Sequence, residues 1–378
     1  MISKSFFENL ELIAEEKGLA IEDVLAKVEV AMAVACRDTN HNGDIKLEVD
    51  FDKKRIKVYD YHYVVAELTE GNTGEILVED AKLLKHRSKI EVGTVLREEI
   101  DFTKIGRKSV SKFKQTFTNE LKGLEREEAF KFFEGKVREI ITATVVAANA
   151  SFVTFSIGKG LYASMPMSET IPGETFEPGE KKKVYVIKVE KTTKEPKVYI
   201  SRATKEIVTK LFELNIPEIQ DGSIEIMGVS REAGSRTKIG VLATKPNLDP
   251  KGACVGQGGL RIKAINNELN QEKIDIFTWR DNPVDLIAEA LLPARSLSVV
   301  ITNEKLKQAL VIVNEEQYSL AIGKSGQNVR LACYATEWKI DIKKLSDALR
   351  EGIEFKYNVY LKYVIKWINL RRYQWENV

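Results

Sequence analysis

The chain has 378 residues, of which 43% are hydrophobic and 30% are charged, and this length and composition are typical of two to four globular domains with buried cores. Its formal net charge is only +2 and its isoelectric point is about 8.1, so any affinity for nucleic acid must come from local basic patches and not from an overall positive field. Acidic residues interrupt the apolar N-terminus, and no uncharged run approaches the length of a membrane span, which argues against a secretory signal peptide and a transmembrane helix.

The cysteines and histidines do not form metal-ligand motifs. Cys36, Cys254 and Cys333 lie in apolar runs and include no Cys-x-x-Cys pair, so we interpret them as reduced core residues of a cytoplasmic protein. The three histidines are separated from one another and from every cysteine, and we expect no metal site from them: His41, His62 and His86.

Residues 1–130 are predicted to form an N-terminal α+β domain. Apolar residues at helical spacing predict two helices between residues 3 and 36, broken near Gly18. The period then changes to alternation on both sides of Asp52-Lys53-Lys54, which predicts a β-hairpin. A long charged helix is predicted over 106–133, because this stretch lacks proline and has four apolar residues on one face: Phe113, Phe117, Leu121 and Leu124. The domain contains no nucleophile, metal or phosphate motif.

Residues 134–201 change to short alternating strands that are separated by turn residues. Five strands are predicted in this region: 140–147, 151–157, 160–165, 183–190 and 197–201. Five strands in this length indicate a small closed barrel of the OB type.

Alternation within the second strand of this barrel assigns side chains to its two faces. Val153, Phe155 and Ile157 are expected to point inward. Phe152 and Tyr162 then lie on the outer face of strands 2 and 3, where OB folds stack bases. Cross-strand packing of exposed aromatic residues explains the same pattern equally well, so both interpretations stay open.

One pattern occupies residues 202–281 and recurs in 282–345. A glycine turn begins at Gly256 and again 67 residues later at Gly323, and a closing Lys-Ile-Asp-Ile strand recurs 66 residues later. A unit of this length is a small duplicated domain and not a solenoid repeat. Each copy is predicted to run helix, strand, strand, helix, helix, strand, which is the type II KH fold, and the linker between the copies is short enough to make one rigid unit.

The glycine turns carry the strongest functional signal. Glycine at both ends of a four-residue turn allows positive φ and close approach of a ligand to the backbone. Apolar residues at helical spacing follow each turn, so unpaired N–H groups and the positive end of a helix dipole favour a phosphate there. KH domains clamp nucleic-acid backbone with such a GXXG loop. A single copy is usually just a tight turn, whereas two matched copies favour binding. A P-loop and a dinucleotide fingerprint are excluded, because their required glycines fall at Tyr318 and Arg261.

An OB-type barrel followed by two fused KH units resembles the NusA family of bacterial transcription elongation and termination factors, in which the barrel is an S1 domain. Residues 1–105 match that family in pattern only. The resemblance is most specific in four stretches: Arg231 to Ile239, Asp249 to Gly256, Asn266 to Ile276 and Ala321 to Ala332.

The resemblance implies a factor that docks on RNA polymerase core through its N-terminal domain and holds nascent single-stranded RNA on its S1-KH-KH body. It implies effects on pausing, hairpin-dependent termination and antitermination, with other antitermination factors and ribosomal proteins as further partners. It also implies a cytoplasmic monomer that is not an enzyme and needs no cofactor. The alternative is a free S1/KH RNA-binding protein of ribosome maturation or RNA decay, although the N-terminal block is too short for the catalytic domains of polynucleotide phosphorylase.

The two loops differ in charge. Lys324 gives the second loop the basic residue of a working clamp, whereas the first loop has none and would depend on Arg261 and Lys263. In the barrel, Asn149 and Pro166 occupy positions where RNA-binding S1 domains often have an aromatic residue and a histidine. The predicted RNA-binding residues are Gly256, Gln257, Gly258, Gly259, Arg261, Lys263, Gly323, Lys324, Ser325, Gly326, Arg330, Phe152 and Tyr162.

Residues 346–378 form a C-terminal extension rich in Tyr, Trp and Lys, and we predict that it is helical. Lys362, Lys366, Asn369 and Tyr373 would lie on one side of that helix. Packing against the second KH unit is favoured over a membrane-surface or partner-binding helix.

Overall fold

The computed structural model describes residues 4–37, 43–69, 72, 74–85, 90–101 and 105–356. Contacts divide the chain into two compact units. The first comprises Met1–Gly135 with Glu190–Pro196, and the second comprises Lys136–Val189 with Lys197–Val378.

The first unit is an α+β domain. Its helices are α1 (Lys4–Lys17), α2 (Ile21–Cys36), α3 (Val78–Lys85) and α4 (Arg107–Glu134). Its strands are β1 (Asp44–Asp50), β2 (Arg55–Val65), β3 (Glu75–Leu77) and β4 (Val95–Glu99). Strand β2 pairs with all three others, antiparallel to β1 and β4 and parallel to β3.

The elements predicted for this unit are confirmed. Gly18 separates α1 from α2 and has a φ of +63°, a value that favours glycine. The hairpin pairs Asp50 with Arg55 and turns through residues 51–54. Leu124 of α4 joins a hydrophobic cluster with residues of both N-terminal helices and the hairpin. Burial of each large aliphatic side chain in such a cluster contributes roughly 1.5–3 kcal/mol.

The second unit begins with the predicted five-stranded barrel. Its strands are β5 (Ile140–Ala148), β6 (Phe152–Gly158), β7 (Leu161–Pro166), β8 (Lys181–Glu190) and β9 (Lys197–Ser201). They are ordered β7-β6-β5-β8-β9, and β7 and β9 lie beside each other, so the sheet is nearly closed. Val153, Phe155 and Ile157 are buried as predicted, because alternate residues of a strand point to opposite faces.

Two KH units follow the barrel. The first consists of α5 (Glu206–Asn215), α6 (Pro217–Gln220), β10 (Ile224–Glu232), β11 (Arg236–Ala243), α7 (Pro250–Val255), α8 (Leu260–Glu268) and β12 (Lys273–Thr278). The second consists of α9 (Pro283–Ala290), β13 (Ser296–Asn303), β14 (Gln308–Val313), α10 (Glu315–Ile322), α11 (Gln327–Thr336) and β15 (Lys339–Lys344). In each sheet the first two strands are antiparallel and the last two are parallel, and the first strand has a register shift at the same place. The predicted duplication of a type II KH fold is therefore confirmed.

The two KH units pack directly on each other through α11 and β10. Ser230 Oγ donates a hydrogen bond of 2.7 Å to the carbonyl of Leu331. Gly228 lies so close to α11 that a Cβ built there would be 2.1 Å from the carbonyl oxygen of Ala335. Lys238, which is 1% exposed, donates to the carbonyl of Leu292, and burial lowers the pKa of its ammonium group. These contacts hold the two KH units together as one packed body.

Buried ion pairs connect the barrel with the first KH unit. Arg202 is fully buried, and its guanidinium donates to both carboxylate oxygens of Glu174 and to Glu268 Oε1. Within the first KH unit, Arg231 and Glu272 form a second buried pair at 2.8 Å, and Arg231 Nη1 also donates to the carbonyl of Arg202. Removal of one partner of a buried pair leaves an unmatched charge and costs about 3–5 kcal/mol, so the barrel is held firmly on the KH body.

The described part of the C-terminal extension contains α12 (Leu345–Arg350) and continues to Lys356, whose carbonyl accepts a hydrogen bond of 2.7 Å from Ser298 Oγ. This contact places the start of the extension against the second KH unit. The residues predicted to form its polar face, from Lys362 to Tyr373, lie outside the described residues.

Candidate nucleic-acid interface

The two GXXG loops have nearly the same backbone conformation. Gly256 has φ 72° and ψ 170°, and Gly323 has φ 77° and ψ 171°. The last glycines agree equally well, with φ 74° and ψ 16° at Gly259 and φ 75° and ψ 14° at Gly326. Each last glycine donates its N–H to the carbonyl of the first. The sequence repeat is therefore a repeat of three-dimensional geometry.

The first glycine of each loop is required by its conformation and by space. Its combination of positive φ with ψ near 170° is essentially restricted to glycine. A Cβ at Gly256 would lie 2.8 Å from Cγ of Arg261, and a Cβ at Gly323 would lie 2.7 Å from the backbone nitrogen of Asn328. The absence of a Cβ at these glycines thus lets each loop pack directly against the helix that follows it.

Arg261 and Asn328 occupy equivalent positions in the two copies and brace the loops in the same way. Arg261 Nη1 donates to the carbonyl of Ala253 at 2.7 Å, and Asn328 Nδ2 donates to the equivalent carbonyl of Leu320 at 3.3 Å. Arg261 also pairs with Glu218 of α6 at 2.8 Å. Its guanidinium is therefore half-buried and paired with a carboxylate, and the structure assigns it a bracing contact.

The two cations near the second loop differ in whether another residue pairs with their charge. Lys324 is exposed and forms no ion pair with any residue that the structure describes. Arg330 is 44% exposed, but it pairs with Glu232 at 2.6 Å and donates to the carbonyl of Ser325 at 3.1 Å. Ser325 itself has a φ of +51° in the left-handed region. The free charge of this loop is thus that of Lys324.

The first loop offers less charge and more apolar surface. Gln257 is exposed at the position of Lys324, and Lys263 is exposed without an ion-pair partner in the described part of the chain. Leu260 is 70% exposed. An open cleft of about 570 Å³ lies beside this loop, with Leu248 and Gly252 among its lining residues. The first loop therefore presents backbone N–H groups beside an open cleft that Asp249 and Arg261 line together with leucines, and an exposed lysine lies one helical turn away.

The predicted aromatic face of the barrel is exposed. Phe152 is 42% exposed and Tyr162 is 62% exposed. Phe152 pairs in register with Pro166, and Tyr162 pairs with Ser156, so both rings lie on the same face, roughly 13 Å apart along the strands. Asn149 forms the turn that precedes β6, since its Oδ1 accepts from the backbone nitrogens of residues 151 and 152. At this separation the two rings do not pack on each other, and each is exposed enough to stack on a base.

Several contributing residues were missed by the predictions from sequence. Asn328 could have been found from its alignment with Arg261 at the repeat offset. Glu218, Glu232 and Gln327 had no local signal, because their partners are distant in sequence or in the other KH unit.

Metal binding and membrane insertion receive no positive support. Among the described residues, no cluster of three histidine, cysteine or acidic side chains is arranged to hold a metal ion. His62 Nε2 lies 3.5 Å from Asp60 Oδ2, whereas His41 and His86 lie outside the described residues. Within the residues that the structure describes, no helix is both long and apolar enough to cross a membrane.

Comparison with known proteins gives consistent matches along the chain. The model of the NusA N-terminal domain matches residues 5–127. The models of the NusA-like first and second KH domains match residues 202–279 and 283–350.

Curated relatives match most of the chain. The chain is 38% identical over 353 residues to the transcription termination/antitermination protein NusA of Bacillus subtilis (strain 168), covering 93% of this chain and 94% of that protein. It is 33% identical over 370 residues to the protein of the same name from Thermus thermophilus, again covering 93% and 94% of the two chains.

Proposed function

The chain belongs to the NusA family of transcription termination/antitermination proteins, and on this premise we propose that it is an RNA-binding transcription factor that docks on RNA polymerase core. Its N-terminal domain, residues 1–130, makes the polymerase contact. Its S1 domain (134–201) and KH domains (202–281 and 282–345) hold nascent single-stranded RNA. By holding both partners it modulates pausing, hairpin-dependent termination and antitermination.

The observation that supports RNA contact most directly is the matched geometry of the two clamp loops. Both loops turn at glycines and enter a helix N-terminus, where unpaired N–H groups and the helix dipole favour phosphate. The second loop adds the exposed charge of Lys324. KH domains grip about four nucleotides of backbone at such a loop, so two loops in one packed body suit an extended single strand.

The protein acts by binding and not by turnover. N–H donors and lysine side chains at the loops hold a phosphate but do not by themselves break an ester bond. We place it in the cytoplasm as a monomer, with other antitermination factors and ribosomal proteins as further partners. The alternative, a free RNA-binding protein of ribosome maturation or RNA decay, predicts no effect on a transcribing polymerase.

A transcription assay with the purified full-length chain and core RNA polymerase tests this function. On a template with a defined pause and an intrinsic terminator, the chain should bind the polymerase, lengthen the pause and change the fraction of terminated transcripts. Failure to bind the polymerase together with unchanged pausing would contradict the proposal. Labelled RNA incubated with the chain and Mg²⁺ should remain intact, and degradation would instead favour the RNA-decay alternative.

A further inference from the structure

The second clamp loop is tied to the first KH unit by a small group of side chains. Gln327, the first residue of α11, donates from Nε2 to Glu232 Oε2 and to Ser235 Oγ, both at 2.7 Å. Arg330, one turn further, donates from Nε to Glu232 Oε1 at 2.7 Å. Arg330 Nη1 reaches back to the carbonyl of Ser325 inside the loop. One guanidinium therefore touches both the loop and the neighbouring KH unit.

Glu232 is the centre of this group and is held as a carboxylate. Burial opposes its ionisation, but hydrogen bonds from Gln327 and Arg330 outweigh burial and lower the pKa of its carboxyl group. Both of its oxygens are occupied, one by each partner. We call Glu232, Gln327 and Arg330 the latch.

The first clamp loop has no counterpart of the latch. At the positions of Gln327 and Arg330 it has Leu260 and Lys263, and both side chains are exposed. Asn303, which pairs with Gln308 as Glu232 pairs with Arg236, is exposed as well. The latch therefore belongs to the contact between the two KH units and is not a general feature of the KH fold.

The negative charge of Glu232 bears on what the latch can do for RNA binding. A carboxylate near a phosphate-binding loop weakens the local positive potential and, by itself, disfavours RNA. An effect on geometry has to outweigh this repulsion if the latch assists binding. From these observations we infer that Glu232, Gln327 and Arg330 are positioning residues, which hold the second clamp loop at a fixed spacing from the first so that one RNA strand can occupy both.

This inference rests on the proposed RNA-binding function and makes predictions of its own. A strand that crosses both loops gains from their fixed spacing, because the second contact then forms within an already bound complex. A short RNA that occupies one loop gains nothing from the spacing. Loss of the latch should therefore weaken long RNA selectively.

The test compares Glu232→Gln and Arg330→Lys in the full-length chain. Fluorescence anisotropy with single strands of about 6 and about 20 nucleotides gives the ratio of the two affinities, since one GXXG loop grips about four nucleotides. Both variants should lose about 5-fold in affinity for the long RNA and less than about 2-fold for the short one. Arg330→Lys retains its positive charge but cannot reach both partners with a rigid fork. Lys263→Gln, which removes an exposed and unlatched cation, should instead weaken both RNAs in similar proportion.

Two results would overturn the latch. Tighter binding of both RNAs by Glu232→Gln, with a steeper dependence on salt, would mean that Arg330 is a phosphate contact which Glu232 merely neutralises. Wild-type behaviour of Arg330→Lys would mean that charge alone matters at this position. If the unaltered chain bound neither RNA, the proposed function itself would fail, and this outcome is distinguishable from the other two.

Discussion

An exchange of the second residues of the two clamp loops tests whether charge or backbone geometry sets their affinity. Lys324→Gln gives the second loop the side chain of the first, and Gln257→Lys does the reverse. Both positions are exposed, and Lys324 forms no ion pair with any described residue, so neither substitution should disturb folding. The duplicated structure thus provides its own matched pair of variants.

The expected magnitude follows from the exposure of the lysine. Two unit charges 4 Å apart interact by about 1 kcal/mol in bulk water and by about 4 kcal/mol at the effective dielectric constant typical of a protein surface. An exposed lysine belongs near the lower limit, and about 1 kcal/mol corresponds to roughly a 5-fold change in affinity. Lys324→Gln should weaken RNA binding by about this factor, and Gln257→Lys should strengthen it.

Salt dependence provides a second measurement. Each phosphate contact on a single strand contributes about −0.7 to the slope of log affinity against log salt. Anisotropy titrations with a labelled single-stranded RNA between 50 and 200 mM salt should show a shallower slope for Lys324→Gln and a steeper slope for Gln257→Lys. Unchanged slopes in both variants would refute the assignment of Lys324 as a phosphate contact. Weaker binding by Gln257→Lys would show that the first loop does not receive phosphate.

Three further predictions concern glycines and a thiol. Gly326→Asp should bind RNA about 5- to 30-fold more weakly than Gly326→Asn in the same anisotropy assay, because both side chains tolerate the left-handed backbone and only aspartate is charged. Equal affinities of the two variants would contradict the binding of a phosphate at this loop. Gly228→Ala should lower the free energy of unfolding by about 1–3 kcal/mol in urea titrations, because its Cβ would meet the carbonyl of Ala335. Gly123→Ala is the control, because its Cβ would lie in open space within α4, and it should raise the free energy of unfolding by up to about 1 kcal/mol. Burial raises the pKa of Cys254 to about 12 from an ordinary value of 9.0, so the contribution of this protonated thiol to stability is full below pH 9 and is lost as the pH rises towards 12. Between pH 7 and 10 the free energy of unfolding of the unaltered chain should therefore fall by about 1.4 kcal/mol more than that of Cys254→Ala. Equal decreases in the two proteins would contradict the raised pKa.

Sequence periodicity predicted most of the fold because it reflects local geometry. The change from helical spacing to alternation near residue 45 marks the start of β1, and alternation in β6 assigned the buried and exposed faces of the barrel correctly. The repeat offset identified two copies of one fold without knowledge of their packing. Domain boundaries within the chain remain predictions, since contacts group the barrel and both KH units into one unit.

The roles of side chains at the loops were harder to predict, because the sequence shows which residues are charged but not which residue each of them pairs with. Arg261 and Lys263 were both expected to supply positive charge to the first loop. The structure holds Arg261 against Glu218, which lies 43 residues away in sequence, and leaves Lys263 exposed. Arg330 pairs with a residue 98 positions away. A helical face can be read from spacing, but an ion pair depends on how distant elements pack.

Comparison of the two loops distinguishes the contribution of the KH backbone from the contribution of the side chains. Their backbones coincide within a few degrees at the first and last glycines, and both are braced by a side chain at the same position, so the N–H groups that face a ligand are arranged alike. Only the second loop adds an exposed cation at its tip. Hydrogen bonds from backbone N–H groups release no counterion, whereas a lysine contact does. We therefore expect the contribution of the first loop to RNA affinity to persist as salt rises, while that of the second decreases, so that the first loop carries a growing share of the binding.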